Sequence, residues 1–329
     1  MNNKMKNTVK FVALLALTTA TSQLYSQELQ LNQSYGQAAL SNPALLCADG
    51  TNKVTMGYHT YYGNLSSPWR EYAGTAELGK GNSAFGIGFV RSEANQKMST
   101  LNGINLMYRL GLKLSDGMHL RVGFQGGMRT KSFNMSPSIF EDMIDPYNGV
   151  RYETRESLEA TQKNYFGLGA GLAFNTKSLY LSLGLHNVNR PNTAYNNSGG
   201  ITNKEPMSMR AMLGYNIRTQ GDPMKAINQV IPYVHFVKTG NFNEIAGGIA
   251  LQNEVFNLGV GYHTYSYKAS AVMTTIGFTS GNLKLGYNFG VNMGTQAKVG
   301  GSSHEICLSL LLFRPEKPES GSQVPMPMF

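Results

Sequence analysis

The mature part of this chain has few charged residues, little cysteine and no long apolar run. Only 14% of the 329 residues of the whole chain are charged, whereas a soluble domain usually carries about a quarter. This shortage indicates that much of the surface does not face water. No apolar stretch after the N-terminal region reaches the roughly 20 residues of a membrane helix. A chain that crosses a bilayer without helices must form a closed β-barrel, because only closure pairs every backbone group.

Residues that mark enzymes and metal sites are also sparse. Cys47 and Cys307 are the two cysteines, too few for a disulfide framework or a structural zinc site, and they are either bridged or free, buried thiols. The histidines lie far apart in sequence, and no catalytic or phosphate-loop motif occurs. The run GLGAGLAF at 167–174 superficially resembles a nucleotide loop, but it alternates like a strand, in which glycine permits a bend or close packing. The sequence therefore predicts no catalytic residue, no cofactor and no metal.

The N-terminus has the parts of a secretory signal, predicted at residues 1–26. Basic residues precede an apolar core that begins at Phe11, and Ser26 offers a small residue at the cleavage site. Removal of this segment lowers the net charge from +9 to about +6, because it contains three lysines and no acids. A basic balance can indicate nucleic-acid binding. Here the charges are spread singly and the chain is exported, so no nucleic-acid partner is expected.

The feature that the chain has in abundance is strict alternation of apolar with polar or glycine residues. Ile104 and Leu106 share one face of such a segment, and Asn105 and Arg109 lie on the other. Period two over this length predicts strands rather than helices. About fourteen segments follow this pattern, an even number as in bacterial barrels. The predicted strands are 52–62, 69–79, 83–92, 100–114, 118–131, 164–175, 178–187, 207–219, 230–239, 241–251, 254–266, 269–279, 281–291 and 303–313.

The connections between these strands fall into a short and a long set. Tight-turn residues such as Ser115-Asp116-Gly117 follow alternate strands, and the longest connections are 132–163, 188–206 and 292–302. Outer-membrane barrels have short periplasmic turns and long outer loops, so both ends of the barrel are predicted to lie in the periplasm. A soluble β-sandwich also alternates, but it rarely needs so many strands. The predicted divisions are 1–26 signal peptide, 27–51 N-terminal periplasmic segment or plug, 52–313 barrel and 314–329 C-terminal tail.

The polar face of the strands carries basic side chains that are predicted to point into the lumen, opposite Glu71, Glu77 and Glu244. These charges either satisfy one another and water, or they form a basic interior for an anion or an acidic peptide. The connection 132–163 mixes acidic, basic and apolar residues, and loops of this length are usually functional or disordered. We expect it to dock a partner. The predicted basic cluster of the lumen consists of Arg109, Lys113, Arg121, Arg129, Lys131, Arg210, Arg218 and Lys284.

Several stretches together resemble one family. LSNPALLCADG at 40–50 is similar to the Asn-Pro-Ala motif that precedes the first strand in the PorP/SprF family of type IX secretion system membrane proteins. The run from SAFGIGFVRS to MRTKSFN at 83–134 is similar to the early strands of that family. IPYVHFVKTGNFNEIAGGIAL at 231–251 and SSHEICLSLLLF at 302–313 continue the resemblance. It covers nearly the whole mature chain.

The resemblance implies an outer-membrane barrel of the Bacteroidetes type IX system. Its implied partners are outer-membrane lipids and either the secretion and gliding machinery or a secreted adhesin. The alternative is a barrel that transports small hydrophobic or anionic solutes. Leu45-Leu46-Cys47 departs from the aromatic-small-glycine run that usually follows the family motif. Phe313 ends the last apolar strand, where insertion machinery reads a terminal aromatic in such barrels, and is the predicted assembly signal.

Overall fold

The computed structural model is a closed antiparallel barrel of fourteen wall strands. Closure is made by the first and last strands, which pair from Asn52 with Phe313 to Thr60 with His304. This pairing excludes a two-sheet sandwich and confirms the predicted barrel. None of the helices in the described part of the chain has the length and apolarity to cross a bilayer. The structure describes residues 37–63, 65, 67–136, 140–145, 147, 149–150, 152–153, 155, 161–195, 202–218, 229–266, 269–294 and 301–313.

The wall strands follow the predicted order with small shifts at their ends. A short helix α1 (Ala38–Ser41) and a 3-10 turn (Pro43–Leu45) come before them. Two very short strands, β6 (Ile144–Asp145) and β7 (Gly149–Val150), form a separate hairpin. The wall strands are β1 Asn52–Tyr61, β2 Trp69–Lys80, β3 Ser83–Ala94, β4 Ser99–Ser115, β5 Met118–Phe133, β8 Thr161–Asn175, β9 Leu179–His186, β10 Ser208–Tyr215 with β11 Ile217–Arg218, β12 Gln229–Thr239, β13 Phe242–Gln252, β14 Phe256–Tyr265, β15 Ala269–Ser280, β16 Leu283–Met293 and β17 Ser302–Phe313.

One predicted strand, 207–219, is interrupted at Asn216. The cause lies in the neighbouring strand β12. β10 and β11 both pair with β12 and keep the same register. Gly214 lies opposite Tyr233, and Ile217 lies opposite Val230. Pro232 lies in β12 between these two pairings. Proline has no backbone N–H, so it cannot complete the ladder at this point. The two pieces therefore act as one wall strand with a local gap.

The two faces of the wall differ as the alternation predicts. Phe85 and Leu106 point outward and are 63% and 66% exposed, while their neighbours Ala84 and Met107 are buried inside. Large apolar side chains alternate outward in this way along the wall strands. Such a surface suits lipid, because a soluble protein rarely exposes a continuous apolar belt.

The terminal strand places Phe313 opposite Asn52 at the end of the barrel where the chain enters and leaves. Its side chain, the signal segment 1–26 and the tail 314–329 lie outside what the structure describes. The role of Phe313 in assembly therefore stays a prediction.

The topology leads to a labelling prediction. Cysteine introduced at 145 or 197 is expected to react with an impermeant thiol reagent on intact cells, whereas cysteine at 116 is not. Position 145 lies in the long connection after β5, and 116 lies in the tight turn between β4 and β5. Position 197 belongs to another long connection and lies outside the described residues.

Mass spectrometry of the labelled chain measures this outcome, and the unsubstituted chain is the control because Cys47 and Cys307 are buried. Labelling of 116 alone would show that the barrel is inserted in the opposite sense.

Candidate functional site

The interior of the barrel is occupied by the chain's own N-terminal region. Residues 37–51, called the lumen segment here, precede β1 and lie almost completely buried. They contact strands on opposite sides of the wall. One apolar cluster joins Leu45 to Ala173 and Ile231, and a second joins Leu46 to Ala84 and Met107. Because these wall residues come from β8, β12, β3 and β4, the lumen segment spans the interior.

The Asn-Pro-Ala motif makes hydrogen bonds both within this segment and to the wall. The Asn42 side-chain oxygen accepts a hydrogen bond from the Ala44 backbone N–H at 2.9 Å and so caps the 3-10 turn. Pro43 opens that turn, where its fixed φ fits and its missing N–H costs nothing. The Asn42 Nδ2 group donates to the Leu172 carbonyl at 3.0 Å and to Ser182 Oγ at 2.8 Å. One side chain therefore shapes the turn and holds it to β8 and β9.

Glycines in the wall make room for this motif. A Cβ on Gly123 would overlap the backbone of Pro43 and Ala44, and a Cβ on Gly171 would overlap Asn42 Oδ1. Gly171 belongs to the run 167–174, for which the sequence predicted a structural role. The close approach of the backbone is the reason that only glycine fits at these two positions.

A histidine adds a further link between the wall and the lumen segment. His186 Nε2 lies 2.8 Å from the Ser41 carbonyl, and His186 Nδ1 lies 2.8 Å from Gln125 Nε2. The carbonyl can only accept, so Nε2 carries the proton and Nδ1 accepts from the Gln125 amide. In this tautomer, His186 links β9 to β5 and to the lumen segment.

An ion-pair cluster holds the C-terminal end of the lumen segment. Asp49 Oδ2 lies 3.3 Å from both Lys53 Nζ and Lys284 Nζ, and all three side chains are largely buried. Burial alone would raise the pKa of Asp49, but Lys53 and Lys284 outweigh it and hold that pKa well below its ordinary value. The Cys47 backbone N–H also donates to Glu77 Oε2 at 2.7 Å.

The two cysteines are free in the structure, and both are buried. Burial, with a smaller effect from Glu77, raises the pKa of the Cys47 thiol to about 12. This group therefore stays protonated and unreactive.

The residues of the predicted basic cluster are distributed along the lumen rather than gathered. Arg109, Arg121, Arg129 and Lys284 are buried, and Lys131 and Arg210 are half-buried. Lys113 and Arg218 are exposed at the end of the barrel that carries the tight turn between β4 and β5. Three of the buried members contact an asparagine or aspartate side chain. Arg121 donates to Asn175, Arg129 donates to Asn187 at 3.2 Å, and Lys284 meets Asp49. At the mouth, Lys113 pairs with Asp116 at 3.2 Å.

A second polar layer lies toward the end of the lumen opposite Asn52 and Phe313. His263 Nδ1 is 2.7 Å from Glu244 Oε1, and His59 Nδ1 is 3.9 Å from Glu305 Oε2, with all four side chains buried. Among the described residues, no group of three or more histidine, cysteine or acidic side chains has a metal-binding arrangement.

Two informative features of this site, the position of Asp49 and the purpose of the wall glycines, were not predicted from the sequence. Asp49, the partner of Lys284, lies before the first strand, and the alternation gives no sign that it points into the lumen. The wall glycines Gly123 and Gly171 are visible in the sequence, but their purpose depends on a segment about 80 to 130 residues away in the chain. The Asn-Pro-Ala motif was the available signal.

The fold and its apolar belt define the class of protein as an outer-membrane β-barrel. The family described as "Type IX secretion system membrane protein PorP/SprF" matches residues 23–310. The chain therefore belongs to that family, which confirms the resemblance and makes it a membrane component of type IX secretion located in the outer membrane. None of the curated proteins matches it.

Solved structures of other barrels resemble the fold. The CymD monoaromatic hydrocarbon channel is 10% identical with a TM-score of 0.51, over 86% of this chain and 94% of that one. The toluene transporter TodX of Pseudomonas putida is also 10% identical, with a TM-score of 0.48, over 87% and 94%. The Acinetobacter baumannii protein Omp33 is 8% identical with a TM-score of 0.44, over 80% and 100%. At these identities the likeness concerns the fold alone.

Proposed function

We propose that this chain is a non-enzymatic helper of type IX secretion that works through its outer loops while the lumen segment plugs the barrel. It assists the secretion or surface attachment of a cargo protein such as an adhesin, or forms part of the secretion and gliding machinery. The observation that carries the proposal is the filled lumen, held by Asn42 on β8 and β9 and by Asp49 on Lys284. A barrel closed in this way is suited to docking rather than to conduction.

The wall itself supports an outer docking surface. β4, β5 and β8 are 17, 16 and 15 residues long, whereas a tilted strand needs about 9–11 residues to span the membrane. Their extra length carries the described residues between 134 and 155, called the arm here, beyond the bilayer. This arm places the β6–β7 hairpin where a protein partner can reach it.

The described residues of this arm have the composition of a contact surface. Tyr147 is 95% exposed, Tyr152 is 56% exposed and Ile144 is 49% exposed. Tyrosine is enriched among residues that dominate binding energy, because it buries a large area with few rotatable bonds. The Arg155 backbone N–H donates to Asp142 Oδ2 at 2.7 Å and helps to order the arm. Cargo docking at these residues is therefore the function that we favour over transport of small hydrophobic or anionic solutes.

Deletion of 138–158 is expected to weaken cargo binding and leave the barrel folded, because the wall ladder ends at Phe133 and resumes at Thr161, outside the deleted segment. The paired substitution Y147A and Y152A is expected to weaken binding at least about tenfold, since each removed anchor is worth on the order of 1–2 kcal/mol. Pull-down of secreted cargo on the purified chain measures the effect.

The control is Y262A, which removes a tyrosine that is 51% exposed on the lipid-facing wall. Folding is checked by heat-modifiable migration. Normal cargo binding and display by the folded deletion variant would show that docking occurs elsewhere.

A further inference from the structure

A cavity of about 770 Å³ lies at the outer end of β10 and β12, beneath the connection that follows β9. Its lining includes three basic residues, Arg190, Lys204 and Lys238, with Met207 and Met209 beside them. Volumes between about 300 and 1,000 Å³ are typical of small-molecule sites. Because its lining combines cationic and apolar side chains, the cavity suits an amphipathic ligand.

The cavity opens on the lipid side of the wall rather than into the lumen. Lys238 and Met209 face each other across the β10–β12 ladder, and the side chains next to Lys238 in sequence, Val237 and Thr239, are buried inward. Further down the same outward face, Leu213 is 46% exposed and Val234 is 50% exposed. The basic rim is thus continuous with the apolar belt of the barrel.

Hydrogen bonds join the two described parts of the connection after β9, 187–195 and 202–207. The Thr193 backbone N–H donates to the Asn203 carbonyl at 2.7 Å, and the Glu205 backbone N–H donates to the Pro191 carbonyl at 2.9 Å. The carboxylate of Glu205, the one acidic residue among the lining, is buried and accepts from Thr193 Oγ1 at 3.4 Å. Lys204 and Lys238, by contrast, are exposed. The accessible charge at the cavity is therefore positive.

We propose that this cavity binds the phosphate-bearing headgroup of an anionic amphiphile from the surrounding outer leaflet. Arg190, Lys204 and Lys238 contact the phosphate oxygens, and an acyl chain runs from Met207 and Met209 down the apolar wall. Charge complementarity and the position at the membrane rim favour this ligand, because basic pockets at the bilayer surface hold anionic headgroups while apolar surface holds the chains. The site is separate from the lumen and from the arm.

Titration of the purified full chain with bisphosphorylated lipid A in mixed micelles, followed by native mass spectrometry, tests the proposal. The paired substitution K204Q and K238Q is expected to raise the dissociation constant at least about tenfold, which corresponds to about 1.4 kcal/mol. The matched control is R70Q with K97Q, which removes two exposed cations at the outer ends of other strands. The control is expected to change the constant by less than about twofold, because its cations lie outside the cavity.

Competition experiments on the unsubstituted chain distinguish the source of the phosphate. Neither inorganic pyrophosphate nor the deacylated lipid A headgroup is expected to displace lipid A at equal concentration, because both lack the acyl chains. Equal displacement by either would overturn the amphiphile assignment in favour of a soluble anion. An equal loss of binding in the paired variant and its control, or no loss in either, would remove the cavity as the site.

Discussion

Replacing Gly123 with leucine is expected to drive the lumen segment out of the barrel and convert a closed protein into an ion-conducting one. A side chain at this position meets the backbone of Pro43 and Ala44, which has no rotamer by which to move aside. Overpacking of a close-packed interior typically costs about 1–3 kcal/mol. Once the clash displaces the motif, the two hydrogen bonds of Asn42, each worth about 0.5–1.5 kcal/mol, no longer hold the segment on the wall.

Conductance of single barrels in planar bilayers measures this effect. The unsubstituted chain is expected to show no steady current, and the Gly123→Leu variant to show stable openings. Gly171→Leu is expected to behave in the same way, because a side chain there meets Asn42 Oδ1. The control is Gly74→Leu, since a Cβ at Gly74 makes only ordinary contact at 3.5 Å. A silent Gly123→Leu barrel that remains folded would mean that the lumen segment does not seal the pore.

Reversing the charge of Asp49 is expected to release the other end of the lumen segment. Asp49→Lys places a third ammonium group beside Lys53 and Lys284, in a site where the three side chains are at most 12% exposed. Breaking a buried ion pair costs about 3–5 kcal/mol, because the remaining charge loses its partner. We therefore expect an open conductance from this variant too.

A swap of the two charges tests whether the ion pair itself keeps the barrel closed. Asp49→Lys combined with Lys284→Asp restores an ion pair across the same gap and is expected to close the barrel again. The matched control reverses an exposed pair: Asp116→Lys opposes Lys113 at a position where Asp116 is 97% exposed, and surface pairs contribute only about 0–1 kcal/mol. Openings in the swapped variant as frequent as in Asp49→Lys would show that the pair does not hold the segment.

The sequence predicted the wall of this protein well because each strand carries its own evidence. Alternation at 102–114 places Leu106 outward and Arg109 inward without knowledge of any other strand, and the structure agrees. The tight turn at Asp116 and Gly117 likewise follows from local residue chemistry. The interruption at Asn216 was not predictable from its own strand, because its cause is Pro232 in the neighbouring strand.

The contacts that hold the interior join distant parts of the chain, and the sequence did not reveal them. Nothing near Lys284 indicates that its partner is Asp49, 235 residues earlier. The sequence left two alternatives for the basic side chains of the lumen. They either pair with other groups of the protein and water, or they form a basic interior for an anion, and only such contacts distinguish the two. The ion pair with Asp49 and the hydrogen bonds of Arg121 and Arg129 support mutual satisfaction at those positions.

We propose that this barrel serves protein secretion rather than solute transport. Removal of the chain from the cell, followed by measurement of cargo display and solute uptake in the same cells, tests that claim most directly. We expect cargo to be lost from the surface and to accumulate inside the cell, with uptake of hydrophobic and anionic solutes unchanged. Normal display of every cargo together with reduced uptake of a solute would contradict the account and identify the barrel as a transporter.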